Sequence, residues 1–327
     1  MLVSVIIPAF NAEKWVDETL KCVLTQTYGS IEIIVVDDGS KDGTAALAER
    51  ALAEDPRSHI LIQQPNQGAA AARNRGIEAA SGDWIQFLDA DDLLDRQKIE
   101  IQVECLTTPG VADVVYSDWR KLIWTGNAWN EGDVRKPILQ SDALADILSD
   151  RNFLQLGCML FRKSALKTVA GFDTDHEPIE DVGLCVKLAI AGARFLKATS
   201  AQPLASYRDL PKSFSKRSRR KFIESCIKNA KLAEAHVQAG SSPAARSTDA
   251  IVDVYYAGAR YYAGLDWDRF DELVENIEAL QPNFIPRTPA RLRILSWIAG
   301  YRGAERIAAL YRRGRRLRTA ISQDTEA

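Results

Sequence analysis

Long apolar runs are missing from this sequence: no stretch approaches the ~18 residues of a membrane-spanning helix. The first apolar run ends at Pro8 and has no basic segment before it, so the start does not read as a secretory signal. Cysteine is scarce. Cys22, Cys105, Cys158, Cys185 and Cys226 are odd in number, scattered and without a CxxC pair. That pattern excludes a disulfide framework and argues against a thiolate metal centre, leaving buried free thiols in a reducing cytoplasm. No internal repeat occurs, and low complexity is confined to the alanines at 69–72. Nothing points to nucleic acid as a partner.

What is present is an ordinary globular composition, 46% hydrophobic and 26% charged. At 327 residues the chain is long for a single core and predicts one large domain with an appendage, or two domains. Apolar, β-branched runs at 3–8 (VSVIIP), 31–36 (IEIIVV), 59–62 and 84–88 (WIQFL) predict buried strands. Helical spacing at 13–26, 44–53 and 69–80 falls between them, with Asp42 placed to cap the second helix. Such alternation predicts an α/β domain whose mostly parallel sheet carries helices on both faces. Residues 113–212 continue it with strands (DVVYSDW, CMLFR) and helices (DALADIL, DVGLCVKLAIAG). Beyond a polar, basic stretch after Pro211 the pattern is almost purely helical, with breaks at 240–243 and 282–289. The expected division is a catalytic domain at 1–212 and a helical region at 213–327.

Ligands in such sheets bind at the carboxyl ends of the strands, and acidic residues gather there. Asp89 and Asp91 form a DxD within LDADD, directly after a strand. Crowded carboxylates want a cation, and a hard ion such as Mg²⁺ or Mn²⁺ takes oxygen ligands and shares them with phosphates. A solvated acidic loop capping the next helix is the plainer alternative. In VVDDGSKDGT, Asp37 and Asp38 can accept from a base or ribose, and Gly39 can turn the chain close to a ligand; capping explains part of this equally well. In NQGAAAARNRG, Gly68 opens a helix whose N-terminus favours anions. Arg73, on its second turn, can grip a phosphate as a planar fork or form an ion pair. Glu180 and Asp181 begin an amphipathic helix; they suit its dipole, or supply a general base.

In this order, VSVIIPAFN, VVDDGSKDGT, NQGAAAARNRG, SGDWIQFLDADD and GFDTDHEPIEDVGLCVKLAIAG resemble the inverting glycosyltransferases of family 2, which have the GT-A fold; the likeness runs from residue 2 to about 215. The resemblance implies a nucleotide-diphosphate-sugar donor, usually a UDP-sugar, and a divalent metal. It implies Pro8 and Phe10 flanking the nucleotide, Asp38 at the base, and Arg73 near base and diphosphate. Asp89 would lie close to ribose or metal, Asp91 would hold the metal, and Asp181 would be the catalytic base with Glu180 beside it. One departure stands out. Where many relatives have Tyr-Arg-x-His, this chain has Tyr207, Arg208, Asp209 and Leu210. Leucine cannot be a ligand, so Asp209 is a candidate substitute, and His176 another, although a solvated loop histidine is the plainer expectation.

The tryptophans at 119, 124 and 129 are spaced to fit neither helix nor strand well. They read as an acceptor-site lining or as a flap packed on the sheet. Between Arg287 and Arg318 stand ten arginines against one acid, Glu305, so this stretch is +9 and the remainder −11. Ile307, Leu310, Tyr311, Leu317 and Ile321 recur at helical spacings among Arg306, Arg312, Arg313, Arg315, Arg316 and Arg318, with Ile294, Leu295, Trp297 and Ile298 upstream. That is the pattern of an interfacial helix on an anionic membrane surface. Packing on the catalytic domain and a homodimer contact are the alternatives. The expected setting is cytoplasmic, peripheral on the inner face of the membrane. The expected activity is transfer of one sugar to a glycan or lipid-linked acceptor. A catalytically weak binding or scaffolding module is the other reading; Leu210 favours it, and the DxD with Asp181 speaks against it.

Overall fold

The computed structural model describes residues 1–53, 55–106, 110–149, 152–210, 218–240 and 245–324, with side chains to residue 311. Two units separate, 1–225 and 226–327.

In the first unit, β1 (Val3–Ala9) and β2 (Ile31–Asp37) are buried at every residue, as strands covered on both faces must be. They are interior strands of a seven-stranded sheet with β3 (His59–Gln63), β4 (Trp84–Phe87), β6 (Val114–Tyr116), β9 (Met159–Arg162) and β10 (Phe195–Lys197). The order is β10-β6-β9-β4-β1-β2-β3. All neighbours are parallel except β9, which runs antiparallel to both β4 and β6. Between the early strands run α1 (Val16–Leu24), α2 (Thr44–Ala53) and α3 (Ala69–Ala79). Asp42 Oδ1 accepts from Thr44 N at 3.1 Å, the expected cap of α2. Helix α3 packs so close to β1 that a Cβ on Gly76 would lie 2.3 Å from Ile6 Cγ2.

A second sheet was not foreseen. It joins β5 (Leu93–Leu94), β7 (Trp119–Trp124), β8 (Trp129–Arg135) and β11 (Ala205–Asp209) in the order β5-β11-β7-β8. The run DVVYSDW, expected to make one strand, is divided. Val114–Tyr116 form β6, the chain crosses at buried Ser117, and the last residue, Trp119, opens β7 in the other sheet. Ser117 N donates to Cys158 O at 3.1 Å, which fixes the crossing point. The first unit also holds α4 (Lys98–Glu104), α5 (Ala143–Leu148), α6 (Lys163–Thr168) and α7 (Glu180–Ile190).

Helix α8 (Arg219–Ala239) contains the boundary between units, and α9 (Ala245–Tyr262), α10 (Trp267–Leu280) and α11 (Ala290–Asp324) follow. Apolar faces build the second core, with Ile251, Tyr255 and Ala259 of α9 and Phe270, Leu273 and Ile277 of α10 all buried. Within α11 Gly300 sits at φ 66°, a left-handed conformation that breaks the helix there. Among the described residues no helix is long and apolar enough to cross a membrane.

Candidate active site

Adjacent parallel strands bring their carboxyl ends together, and the candidate residues lie there. In register, Ala9 at the end of β1 pairs with Asp37 at the end of β2, and Ile6 with Phe87 of β4. Pro8 is buried in β1, while Phe10 just beyond it is half exposed, at 50%. Asp37 and Asp38 are both buried, and Asp37 Oδ1 has no hydrogen-bond partner among the described residues. Asp38 is occupied differently. Its Oδ1 accepts from Gln64 Nε2 at 2.8 Å and Gln67 N at 2.9 Å, and its Oδ2 from Gly68 N at 2.8 Å. The anion at the start of α3 is therefore the Asp38 carboxylate. Gly39 turns at φ 75° close to the 64–66 backbone, where a Cβ would meet Asn66 N at 2.9 Å.

Arg73 is buried on α3 and joins two candidate elements. Its Nη2 donates to Asp89 at 2.6 Å and its Nη1 to Glu180 at 2.7 Å, while the guanidinium lies 5.4 Å from the Phe172 ring centroid. Both terminal nitrogens are committed to carboxylates, and Nε, also buried, has no partner among the described residues. The DxD turn after β4 and the first turn of α7, far apart in sequence, are thus held by one side chain.

The carboxylates differ in environment. Asp91 is half-buried, and desolvation, then the charge of Asp89, pushes its carboxyl up to about 6. Asp92 is fully buried, and desolvation followed by Asp91 and Asp89 raises it well above the usual range. Asp181 is raised to about 7, by desolvation first and Glu180 second, against a bond from Val182 N at 2.8 Å. Burial, then Glu180, also raises Glu177. Glu180 is tied to Arg73, whereas no ion pair to a described residue holds Asp181.

Arg208, in the stretch that lacks the family histidine, has a role that its sequence context does not reveal. Its side chain is fully buried on β11, 5.3 Å from the ring centroids of both Trp15 and Trp129. Nη1 donates to Asp91 O at 3.0 Å, Nη2 to Glu18, and its backbone N to Asp92 Oδ1 at 2.8 Å. Gln155 Nε2 donates to the other Asp92 oxygen at 2.7 Å. Thr19 Oγ1 lies 2.9 Å from the carbonyl oxygens of both Ala90 and Asp92. The metal candidate Asp91 thus sits on a backbone pinned from α1, β11 and the segment before β9. Arg208→Ala is expected to lower stability by about 3 kcal/mol, because a buried charge-assisted network is broken. Urea unfolding measures it; a loss within the roughly 0.5 kcal/mol of surface changes would remove Arg208 from this role.

His176 is not solvated as expected. Its ring is fully buried, Nε2 lies 3.2 Å from Ser225 O, and it fills the space beside Gly183, where a Cβ would be 3.2 Å from it. It packs the loop before α7. Asp209 lies 3.8 Å from Lys121. The tryptophan spacing resolves as a β-hairpin: Trp124 pairs with Trp129 across β7 and β8, their rings 5.3 Å apart, and Trp129 stands edge-on to Trp15 at 5.7 Å. Trp119 is buried against Phe153 and Tyr207.

The sequence profile of glycosyl transferase family 2 matches residues 4–170, half of the chain. This chain belongs to glycosyl transferase family 2. Among family members, the amylovoran biosynthesis glycosyltransferase AmsB of Erwinia amylovora is 30% identical over 212 residues, 62% of this chain and 68% of that protein. The putative teichuronic acid biosynthesis glycosyltransferase TuaG of Bacillus subtilis is 42% identical over 103 residues, 32% of this chain. The chain spans 41% of the length of TuaG and of an uncharacterised Haemophilus influenzae glycosyltransferase. Staphylococcus aureus TarS 1-349, solved in complex with UDP, superposes with a TM-score of 0.65 at 20% identity, covering 96% of this chain and 92% of that one. A Pyrobaculum calidifontis mannosyltransferase in complex with GDP-Man and Mn²⁺ gives 0.55 at 19% identity, covering 94% and 87%. These likenesses establish the GT-A fold.

Proposed function

We propose that this family 2 chain moves one sugar from a nucleotide-diphosphate sugar, UDP-linked in the first instance, to a hydroxyl of a glycan or lipid-linked glycan, inverting the anomeric centre. The observation that carries the reading is the contrast in the first turn of α7. Glu180 is locked to Arg73, while Asp181 is half-buried, without an ion pair to a described residue, and poised at about 7. A general base works best with its pKa near the working pH. Asp181 takes the proton from the acceptor hydroxyl as that oxygen attacks the anomeric carbon and the nucleoside diphosphate departs from the opposite face.

The donor lies across the strand ends. Pro8 and Phe10 flank the nucleotide, Asp37 Oδ1 supplies the acceptor left unpaired there, and Asp38 meets the base while ordering the 64–68 loop. Arg73 holds Asp89 towards the ribose and metal, and its unpaired Nε remains to donate. The residues fit a divalent cation, Mn²⁺ or Mg²⁺. Asp91 is a desolvated carboxylate whose ionised form a cation would favour, with Asp89 next to it. No group of three or more ligating side chains gathers among the described residues, so phosphate oxygens and water would complete the shell. A cation bound there would neutralise charge building on the leaving diphosphate. The nucleotide-sugar and Mn²⁺ complexes of the structural relatives support the donor class and the metal. The names of AmsB and TuaG support an acceptor in polysaccharide synthesis. With such acceptors the chain would work as a peripheral protein at the cytoplasmic face of a membrane.

A screen of UDP-, GDP- and dTDP-sugars by thermal unfolding, with and without Mn²⁺, tests the reading. At a hundred times Kd a ligand adds about 2.7 kcal/mol, several degrees in Tm. A UDP-sugar should shift Tm only with Mn²⁺ and be turned over to UDP. A shift without UDP release across acceptors would instead favour a scaffolding module, the reading that Leu210 supports.

A further inference from the structure

Helix α11 turns its apolar side chains the wrong way for a helix that packs only on its own unit. Before the break at Gly300 it buries Leu292 and Ser296, which are one turn apart. Ile294, Trp297 and Ile298, at the i, i+3, i+4 spacing of one face, point away and are 61%, 77% and 82% exposed. Exposed Arg291 and Arg293 fall on the two flanks of that face. After Gly300 the arrangement recurs. Tyr301, Ala304 and Glu305 are buried, while Ile307, Leu310 and Tyr311 are 48%, 71% and 68% exposed at the same spacing. Five more arginines follow at 312–318; their side chains lie outside the described residues. Large apolar side chains exposed together in each of these two triads mark an interaction site.

We propose that this outward face of α11 is an anchor for an anionic lipid surface, its two apolar triads entering the headgroup boundary and its arginines meeting lipid phosphates. Charge decides the occupant: Arg287, Arg302 and Arg306 pair with acids of α9 and α10, and the other seven arginines between 287 and 318 leave the stretch strongly positive in a chain of net −2. A second copy would bring the same positive face against itself, whereas an anionic bilayer complements it. A tryptophan between two isoleucines with basic flanks is the chemistry of an interfacial helix, and one too short to span. The inference deepens the peripheral-membrane part of the proposed function and rests on that reading for its purpose.

The test is co-sedimentation of the full chain with vesicles of phosphatidylcholine alone or mixed with phosphatidylglycerol, at low and high salt. Binding should require phosphatidylglycerol and fall with salt. It should weaken roughly tenfold in the Trp297→Ser, Ile298→Ser double variant and again in Arg291→Glu, Arg293→Glu. All four residues are exposed, so circular dichroism should show both variants folded. Wild-type chain left in the supernatant with anionic vesicles overturns the proposal, as does undiminished binding of the apolar variant. Light scattering that shows a dimer dissolved by the apolar variant, without vesicle binding, assigns the face to a second copy and overturns it too. Calorimetry with UDP and Mn²⁺ on the same samples separates the readings: absence of UDP binding tells against the transferase, not against the anchor.

Discussion

Asp181→Asn should lower sugar transfer by about 10²–10⁴-fold while leaving UDP-sugar affinity within a few-fold. The loss is in the chemical step because a base acts on the acceptor proton and does not line the donor pocket. The pH profile gives a sharper signature. In the free enzyme desolvation and Glu180 hold Asp181 at about 7, so kcat/KM in the wild type should rise through that pH and level off above it. The variant should lose this limb. The sign for stability is opposite. An acid whose folded pKa lies above its unfolded value weakens the fold as pH climbs between the two, here from the ordinary 3.8 to about 7. Asp181→Asn should therefore melt higher than wild type at pH 8, although it is nearly inactive. Glu180→Gln should act differently: it frees Arg73 and disturbs Asp89, so donor affinity falls with the rate. Wild-type turnover in Asp181→Asn would move the base to another residue.

Asp91→Asn should remove the effect of Mn²⁺ on UDP binding together with transfer. Loss of a group that merely supports a metal ligand costs about 10–100-fold in affinity, so removing the ligand itself should cost at least about 100-fold. Calorimetry with UDP in the presence and absence of Mn²⁺ reads this directly. Equal UDP affinity in both conditions for the wild type would dispose of the metal at this site. The apo protein should not suffer: Asp91 raises its neighbour Asp92 by repulsion, so neutralising it relieves buried like charge. Increased or unchanged Tm with lost Mn²⁺ response is the expected pair of results, and it separates a ligand from a structural acid. Arg208 should give the reverse pair, a large stability loss with the Asp91 carboxylate still present.

The sequence by itself determined the four parallel strands β4, β1, β2 and β3 and the acids at the ends of β2 and β4. Continuous β-branched runs such as 3–8 and 31–36 must be buried on both faces, and parallel strands must bring their carboxyl ends to one edge. Local order also placed the cap at Asp42 and the break at 282–289 between α10 and α11, because capping and proline punctuation act over a few residues; the break at 240–243 lies largely outside the described residues, and the turn between α9 and α10 was not expected. Tertiary structure alone decided the rest. The antiparallel β9 and the second sheet depend on pairings between segments far apart, to which periodicity along the chain is blind. So does the fate of Arg73, whose type permits a phosphate grip or an ion pair; the approach of Asp89 and Glu180 from 16 and 107 residues away made it a brace. His176 read as solvated from its polar neighbours, and only the approach of Ser225 and Gly183 buried it. Arg208 stands at the arginine of the Tyr-Arg-x-His stretch without any role legible there, since its role comes from Trp15, Trp129, Glu18 and Asp91 converging on one guanidinium. Along α11 the sequence showed an apolar stripe but not its direction; that was fixed when Leu292, Ser296 and Tyr301 took the inner side, leaving Trp297 and its neighbours facing solvent.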